Sequence, residues 1–447
     1  MLSDKMVIFC GNDEQYLSKE LIDDSNSSNE GTAFRIPSII NAGGGTLIST
    51  AVMQTKGDNW GYLELAMRIS EDLGETWSNI KTVFSPPARE TSANAKTYSS
   101  AFFINPCMAL APNGDIILLA EFFPECRDLH NNRITDKKKA PYSMHERKMC
   151  PALYDRDGKF YLIRDDGVVL NNKLKETIYK VTDCKGSLYY GEKYVGNIFL
   201  NGKSGNDDGN NITFGAPLKA PKRNYIYMFK SSDKGRTWSK PVDITPQILT
   251  KEDGCIIGIS SGTGLTTQDG RIIMPLFVDG KESISIYSVD DGSTWHRMTQ
   301  QPYSNNVDEW QAVQSPDGII FGIGSQKKFG RSPLSISFDK GKHWDKATPT
   351  EIYSPKCQKG VISIGEHVFC SHPSEESREN GVITIGKFKQ IKGKSIAIDW
   401  YTDIEINKGF FGYSCITQID DESIGVIYEA APSSYICFKK FKLSDII

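Results

Sequence analysis

The chain has 447 residues, 39% of them hydrophobic and 24% charged, and a net charge of −3. That balance carries no bias toward nucleic acid or an anionic membrane, and no run of about 18 apolar residues is present to span a bilayer. The opening residues Met1-Leu2-Ser3-Asp4-Lys5 lack the basic and apolar regions of a secretory signal, which leaves the cytoplasm and a non-classical export route both open.

In chain order, the best short helical candidate is Glu14 to Asp24, and long helical periodicity is otherwise nearly absent. Phe34-Arg35-Ile36-Pro37 and the strand candidate Leu47 to Met53 come next. Then Ser70-Glu71-Asp72-Leu73-Gly74-Glu75-Thr76-Trp77 gives a pattern, Ser-x-Asp-x-Gly-x-Thr-Trp, that returns at Ser231 to Trp238, at Ser288 to Trp295 and, with His343 for Thr, at Ser337 to Trp344. A β-rich run precedes each copy, for example Leu63-Glu64-Leu65-Ala66-Met67 and Tyr225-Ile226-Tyr227-Met228-Phe229, so each copy reads as a strand entering a tight turn. In such a turn the Asp accepts amide hydrogen bonds, the Gly supplies a positive φ and the Trp covers the gap between neighbouring sheets.

The last three repeat tryptophans are 57 and 49 residues apart, about one four-stranded propeller blade each. The longer gap from Trp77 to Trp238 contains turn-punctuated strands at 114–120 and 158–163. It is expected to hold one or two blades with a degraded pattern, plus a polar insertion within about 125–215. The chain is read as an all-β, six-bladed β-propeller forming a single domain over 1–447.

Ten cysteines are scattered singly and six histidines are dispersed, which gives neither a disulfide framework nor metal-ligand spacing. Gly258-Ile259-Ser260-Ser261-Gly262 matches the Gly-x-Ser-x-Gly elbow of serine hydrolases but lacks the strand-to-helix context that elbow needs. Asn26-Ser27-Ser28 and Asn211-Ile212-Thr213 are glycosylation sequons that matter only in a secreted chain, and Lys137-Lys138-Lys139 reads as a solvated loop.

The four copies resemble the Asp boxes of the sialidase superfamily, and Phe34-Arg35-Ile36-Pro37 looks like the Phe/Tyr-Arg-Ile-Pro signature of sialidases; the segments that follow are similar to bacterial-type members, and Gly330-Arg331 to trans-sialidase-like ones. Asp308-Glu309-Trp310, Arg378-Glu379-Asn380-Gly381, Gly412-Tyr413-Ser414-Cys415-Ile416-Thr417 and Ile427-Tyr428-Glu429 are similar to family segments in the same order. The resemblance implies a retaining exo-α-sialidase that acts on sialylated glycans (glycoproteins, gangliosides, oligosaccharides) without metal or organic cofactor. The protein is expected to be a monomer.

The resemblance also implies roles, and the chemistry suits them. Planar guanidinium groups recognise a carboxylate bidentately, which assigns Arg35, Arg378 and Arg331 to the sugar carboxylate, with Lys327 or Lys328 as the alternative to Arg331. A neutral phenol avoids the repulsion a carboxylate nucleophile would meet at a carbon already bearing one; Tyr413 is the implied nucleophile and Glu309 its base. Asp58 is the implied acid/base, ahead of Glu64, and Glu429 the partner that orients Arg35.

Trp60 and Asn105 are possible pocket residues, and Trp60 or Trp310 could shield an acceptor site. Two departures bear on substrate preference: Gln54-Thr55 where many relatives carry arginine, and Asn105 where Asp usually precedes the proline. An intermolecular or anhydro-forming trans-sialidase, and a non-catalytic glycan- or protein-binding propeller, remain open alternatives.

Overall fold

The computed structural model describes residues 5–10, 32–55, 63–88, 100–125, 136, 139–201, 203–205, 211–213, 215–279, 281–303, 307–326, 328–431 and 435–447. The helical candidate 14–24 and residues Asp58, Trp60 and Lys327 lie outside them.

Six antiparallel sheets follow one another around a ring as propeller blades. Blade 1 holds Thr32–Asn41, Leu47–Thr55, Leu63–Ser70 and Lys81–Phe84, and blade 2 holds Phe102–Leu110, Ile116–Phe123, Tyr225–Ser231 and Val242–Asp243. Blade 3 is built on Ile257–Ile259, Ile272–Val278, Glu282–Ser288 and His296–Arg297, and blade 4 on Val307–Gln314, Ile320–Gln326, Gly330–Ser337 and Thr348–Ser354. Blade 5 runs Gly360–Ile364, His367–Pro373, Glu379–Ile391 and Lys394–Phe410. Blade 6 takes Ser414–Asp420, Ser423–Glu429 and Ile436–Lys442, and its fourth strand is Met6–Phe9 from the start of the chain, paired with Ile436–Lys442. The ring therefore closes by hydrogen bonds between the two ends of the sequence.

Among the described residues, the long gap between the first two repeats holds no extra whole blade. It contains the first two strands of blade 2 and then an antiparallel meander of seven strands from Tyr142–His145 to Lys193–Asn197, after which the chain returns to complete blade 2. The strand expected at 158–163 belongs to this meander. Its surface strands alternate exposed and half-buried residues, as in Glu176–Val181, so no long apolar run marked it.

The repeated turns join the third and fourth strands of blades 1 to 4. In blade 1, Ser70 Oγ donates to Asp72 (2.7 Å) and accepts the Gly74 N–H (2.8 Å), while Asp72 accepts the Thr76 N–H (2.9 Å). The same bonds recur at Ser231, Ser288 and Ser337. Bonding from the Thr237 and Thr294 hydroxyls holds the Asp233 and Asp290 carboxyls down at about 2.

Each turn also presses on the preceding blade. A Cβ on Gly74 would lie 2.7 Å from Phe438 of blade 6, one on Gly235 3.2 Å from Met67 of blade 1, one on Gly292 2.5 Å from Ile117 of blade 2, and one on Gly341 3.1 Å from Met298 of blade 3. With φ between 73° and 88° as well, these glycines have no ready substitute. Trp238 and Trp295 extend the same contact, donating Nε1 toward the Met67 and Met228 sulfurs of the preceding blades.

Apolar clusters fill the gaps between blades. Ile48, Leu65 and Met67 meet Phe103, Leu118 and Phe229 between blades 1 and 2, and Ile39 and Leu47 meet Cys415, Ile427 and Phe438 between blades 6 and 1. Burial of each such side chain is worth about 1.5–3 kcal/mol, so the interfaces that align the blades are also the main source of stability. The nine described cysteines are free thiols, six of them buried, and serve as small apolar residues.

Candidate active site at the axial end of the propeller

In every blade the first strand starts, the second ends and the third starts at one end of the ring, opposite the repeated turns. Arg35 and Asn105 sit near the start of the first strands of blades 1 and 2, and Glu309 near that of blade 4. Tyr413 immediately precedes the first strand of blade 6 and Glu429 ends its second; Arg378 and Arg331 stand at the start of the third strands of blades 5 and 4. Topology thus delivers residues from five blades to one face.

Local backbone irregularities aim them. The strand register shifts between Arg35 and Ser38, between Ile104 and Cys107, and between Val307 and Glu309, so three first strands bulge at a candidate residue. Two of these bulges contain proline, which has no N–H to give to the ladder. Ile36, Asn105 and Arg378 have φ of 56°, 55° and 59°. For the β-branched Ile36 this is costly and persists only because the surroundings enforce it.

Glu429 supplies that enforcement. It is 1% exposed; its Oε1 accepts the Ile36 N–H at 2.8 Å and lies 3.4 Å from Arg35 Nε, and its Oε2 accepts the Tyr413 N–H at 3.3 Å. One carboxylate therefore fixes the guanidinium of blade 1 and the backbone of Tyr413 together. Gly412 makes room for it, since a Cβ there would fall 2.2 Å from Glu429 Oε2.

Tyr413 Oη donates a hydrogen bond to Glu309 Oε1, and the Arg378 guanidinium lies over the Tyr413 ring, 5.6 Å from its centroid. Burial and the facing Glu309 carboxylate raise the Tyr413 phenol well above its ordinary range, while Arg378 opposes them. Burial raises the Glu309 carboxyl too, against the Tyr413 hydrogen bond and the positive charges of Lys356, Arg378 and Lys359. Glu309 Oε2 is buried without a hydrogen-bond partner among the described residues. A phenol and a carboxylate sharing one proton beneath a guanidinium can produce a phenolate on demand.

Arg331 is exposed, with its guanidinium 5.5 Å from the Tyr353 ring centroid and its Nε donating to Tyr353 Oη at 3.0 Å. Its contacts among the described residues run to Tyr353, whereas Arg35, Glu309, Arg378, Tyr413 and Glu429 touch one another. Lys328 is exposed beside it. Glu64 lies in a strand of blade 1 and accepts the Ser85 hydroxyl at 2.7 Å.

Trp310 is 1% exposed, packed edge-on against Trp344 and bonded through Nε1 to Leu276 O, so it is a core residue and cannot shield an acceptor. Strand alternation is the reason: Glu309 and Trp310 point to opposite faces. Asn105 Nδ2 donates to Glu121 Oε1 at 2.7 Å; Glu121 is fully buried and pushed up to about 7 by that burial. An Asp at 105 would set a second carboxyl against Glu121, which accounts for the amide.

One group of residues had no signal in the sequence. The segment 355–359 crosses from blade 4 to blade 5 beneath the site. Its Lys356 pairs with Asp308 at 3.1 Å and accepts an Arg378 Nη2 bond on its carbonyl at 2.6 Å. Gln358 Oε1 accepts the Ser414 N–H at 3.2 Å, and the Lys359 ammonium donates to Ser325 Oγ at 2.7 Å. Cys357, buried among them, is pushed up to about 12 and stays a thiol. Nothing in the run Pro355 to Lys359 resembles a motif, and its importance comes only from where the ring places it.

Residues 212–418 match the family described as the BNR repeat-like domain. The chain is 24% identical to the anhydrosialidase of Macrobdella decora over 93% of its own length and 61% of that protein's. It is also 24% identical to sialidase B of Streptococcus pneumoniae, over 92% of its own length and 63% of the relative's. The chain is similar to sialidases along almost its whole length.

It spans about three fifths of the length of these curated relatives. The fold superposes on the intramolecular trans-sialidase of Ruminococcus gnavus with a TM-score of 0.79, covering 96% of this chain and 98% of that one at 21% identity. No described helix is long and apolar enough to cross a membrane, and no group of metal-ligating side chains occurs among the described residues.

Proposed function

We propose that the protein is a retaining exo-α-sialidase releasing terminal sialic acid from glycans. The observation that carries this reading is the Tyr413–Glu309 hydrogen bond beneath the Arg378 guanidinium, with Arg35 fixed beside it by Glu429. Arg35, Arg378 and Arg331 bind the sugar carboxylate. As Glu309 takes the phenolic proton, Tyr413 Oη attacks the anomeric carbon and the glycosidic bond breaks, the leaving oxygen being protonated by Asp58. Water, deprotonated by Asp58, then cleaves the tyrosyl–sugar bond, and Tyr413 recovers its proton from Glu309. Two inversions at one carbon give retention. The charges of Arg378 and Arg35 stabilise a phenolate that burial alone would forbid.

Incubation with sialyllactose tests the reading, with free sialic acid as the expected product. An anhydro-sialic acid product would support a second reading, which has one observation in its favour: a relative matched over 93% of this chain is an anhydrosialidase. The two routes share every step up to the tyrosyl intermediate and differ in which hydroxyl resolves it. Absence of turnover together with saturable binding of sialyllactose would leave a glycan-binding propeller.

A further inference from the structure

Lys359 is 3% exposed and hangs under the candidate site from Ser325 Oγ (2.7 Å), with the Gly324 and Cys357 carbonyls each at 3.5 Å. Ser325 is the residue paired directly across the strand ladder from Glu309, and its own hydroxyl donates to Cys357 O. An ammonium held in the protein interior by neutral acceptors is costly unless a negative charge answers it. The titratable groups that face it are the Cys357 and Cys370 thiols, the neutral His372 imidazole and the Glu309 carboxyl; of these only Glu309 carries a negative charge. Glu309 in turn faces Tyr413, Lys356, Arg378 and Lys359. Lys356, paired with Asp308, and Arg378, over the Tyr413 ring, act on Glu309 from the solvent side of the site, whereas Lys359, whose charge burial opposes, acts from beneath it.

We infer that Lys359 is a positioning residue for the site: its buried ammonium is a counter-charge that, with Lys356 and Arg378, keeps Glu309 a carboxylate, leaving the shared proton on Tyr413 until substrate arrives. This rests on the proposed roles of Glu309 and Tyr413. Without the ammonium, Glu309 would protonate more readily, so the loss falls on the acid side. Proton transfer to Glu309 during attack is correspondingly less opposed in Lys359→Met, and kcat on the alkaline plateau is expected to change little.

The test measures kcat/KM against pH with an aryl sialoside for wild type, Lys359→Met, Lys359→Arg and Ser325→Ala. In Lys359→Met the acid limb moves to higher pH and activity at the acid edge drops about tenfold, the change that one unit of displacement produces. Lys359→Arg keeps the wild-type limb, and Ser325→Ala, which only loosens the ammonium, moves it part of the way and serves if Lys359→Met does not fold. A uniform loss at every pH with the limb unmoved would overturn the inference and make Lys359 a packing residue.

A second readout needs no turnover. In protein labelled at the glutamate carboxyl carbons, the signal missing from Glu309→Gln is Glu309, and its titration midpoint rises in Lys359→Met. An unmoved midpoint overturns the inference. An inactive wild type, or a Glu309→Gln variant as active as wild type, instead removes the functional reading and leaves this titration to decide the role of Lys359.

Discussion

The two ends of the propeller are built by opposite means. At the turn end each unit is local: Ser70, Asp72, Gly74 and Thr76 satisfy one another within seven residues, and the same bonds are made four times. At the axial end the decisive contacts join distant residues, such as Ile36 with Glu429, 393 positions apart, and Tyr413 with Glu309, 104 apart. Local units tolerate damage one at a time, because three copies remain when one is lost. The axial cluster has no redundancy, since Glu429 holds both Arg35 and Tyr413, and Tyr413 in turn joins Glu309 and Arg378.

The largest effect expected is at the axial end. Tyr413→Phe keeps the ring under Arg378 but removes the oxygen, and steady-state turnover should fall by more than about 10⁴-fold with an unchanged melting curve. Glu309→Gln should cost about 10²–10⁴-fold, the usual worth of a positioned base. Turnover of Tyr413→Phe at the wild-type rate would remove the nucleophile from the proposed mechanism.

Gly412→Ala sharpens the contrast, because the new methyl must displace Glu429 and thereby both Arg35 and the Tyr413 amide. It should lower kcat/KM by about 10²-fold, as misplacement of about 1 Å does, while costing only about 1–3 kcal/mol in chemical unfolding. At the turn end the order reverses. Asp290→Ala removes the acceptor of the Thr294 bonds and should cost about 1–2 kcal/mol of stability with kcat/KM within a factor of two of wild type.

The smallest effect separates the ends by pH. Asp233 and Asp290 are held at about 2 by their threonines, below an unfolded value of about 3.9, so what they contribute is complete above that value and is lost as pH falls through about 2. Glu309 is shifted the other way, and the proposed base must be ionised. Activity should therefore disappear on acidification while the fold is still intact, with the limb above the ordinary carboxylate range. Parallel rate and circular-dichroism titrations check the order; coincident losses would contradict it.

This division also explains what the sequence disclosed. The turns were readable because their bonds lie between residues two and four apart, so residue types at fixed spacing carry the whole device. Arg35, Glu309, Arg378, Tyr413 and Glu429 were readable only through resemblance, since no spacing along the chain predicts that Glu429 would meet both Arg35 and Tyr413. The seven-stranded meander escaped because its half-exposed strands have the composition of a polar loop. The segment 355–359 escaped because its work is done by two carbonyls, an amide and an ammonium pointing into the gap between blades. Trp310, an aromatic beside a candidate base, suggests a platform until the strand's alternation turns it into the core.

The pairing of Met6–Phe9 with Ile436–Lys442 sets an order of events during synthesis. All four repeated turns can form on the ribosome, one after another, as soon as their own residues emerge. The second strand of blade 6, which ends in Glu429, finds its last neighbour only when residues 436–442 are out of the exit tunnel, and only then can the opening strand be stitched to the closing one. A nascent chain is therefore an open arc of finished blades in which Arg35 has no Glu429 to face. The chemistry of this site can begin only once residues 436–442 have joined the ring.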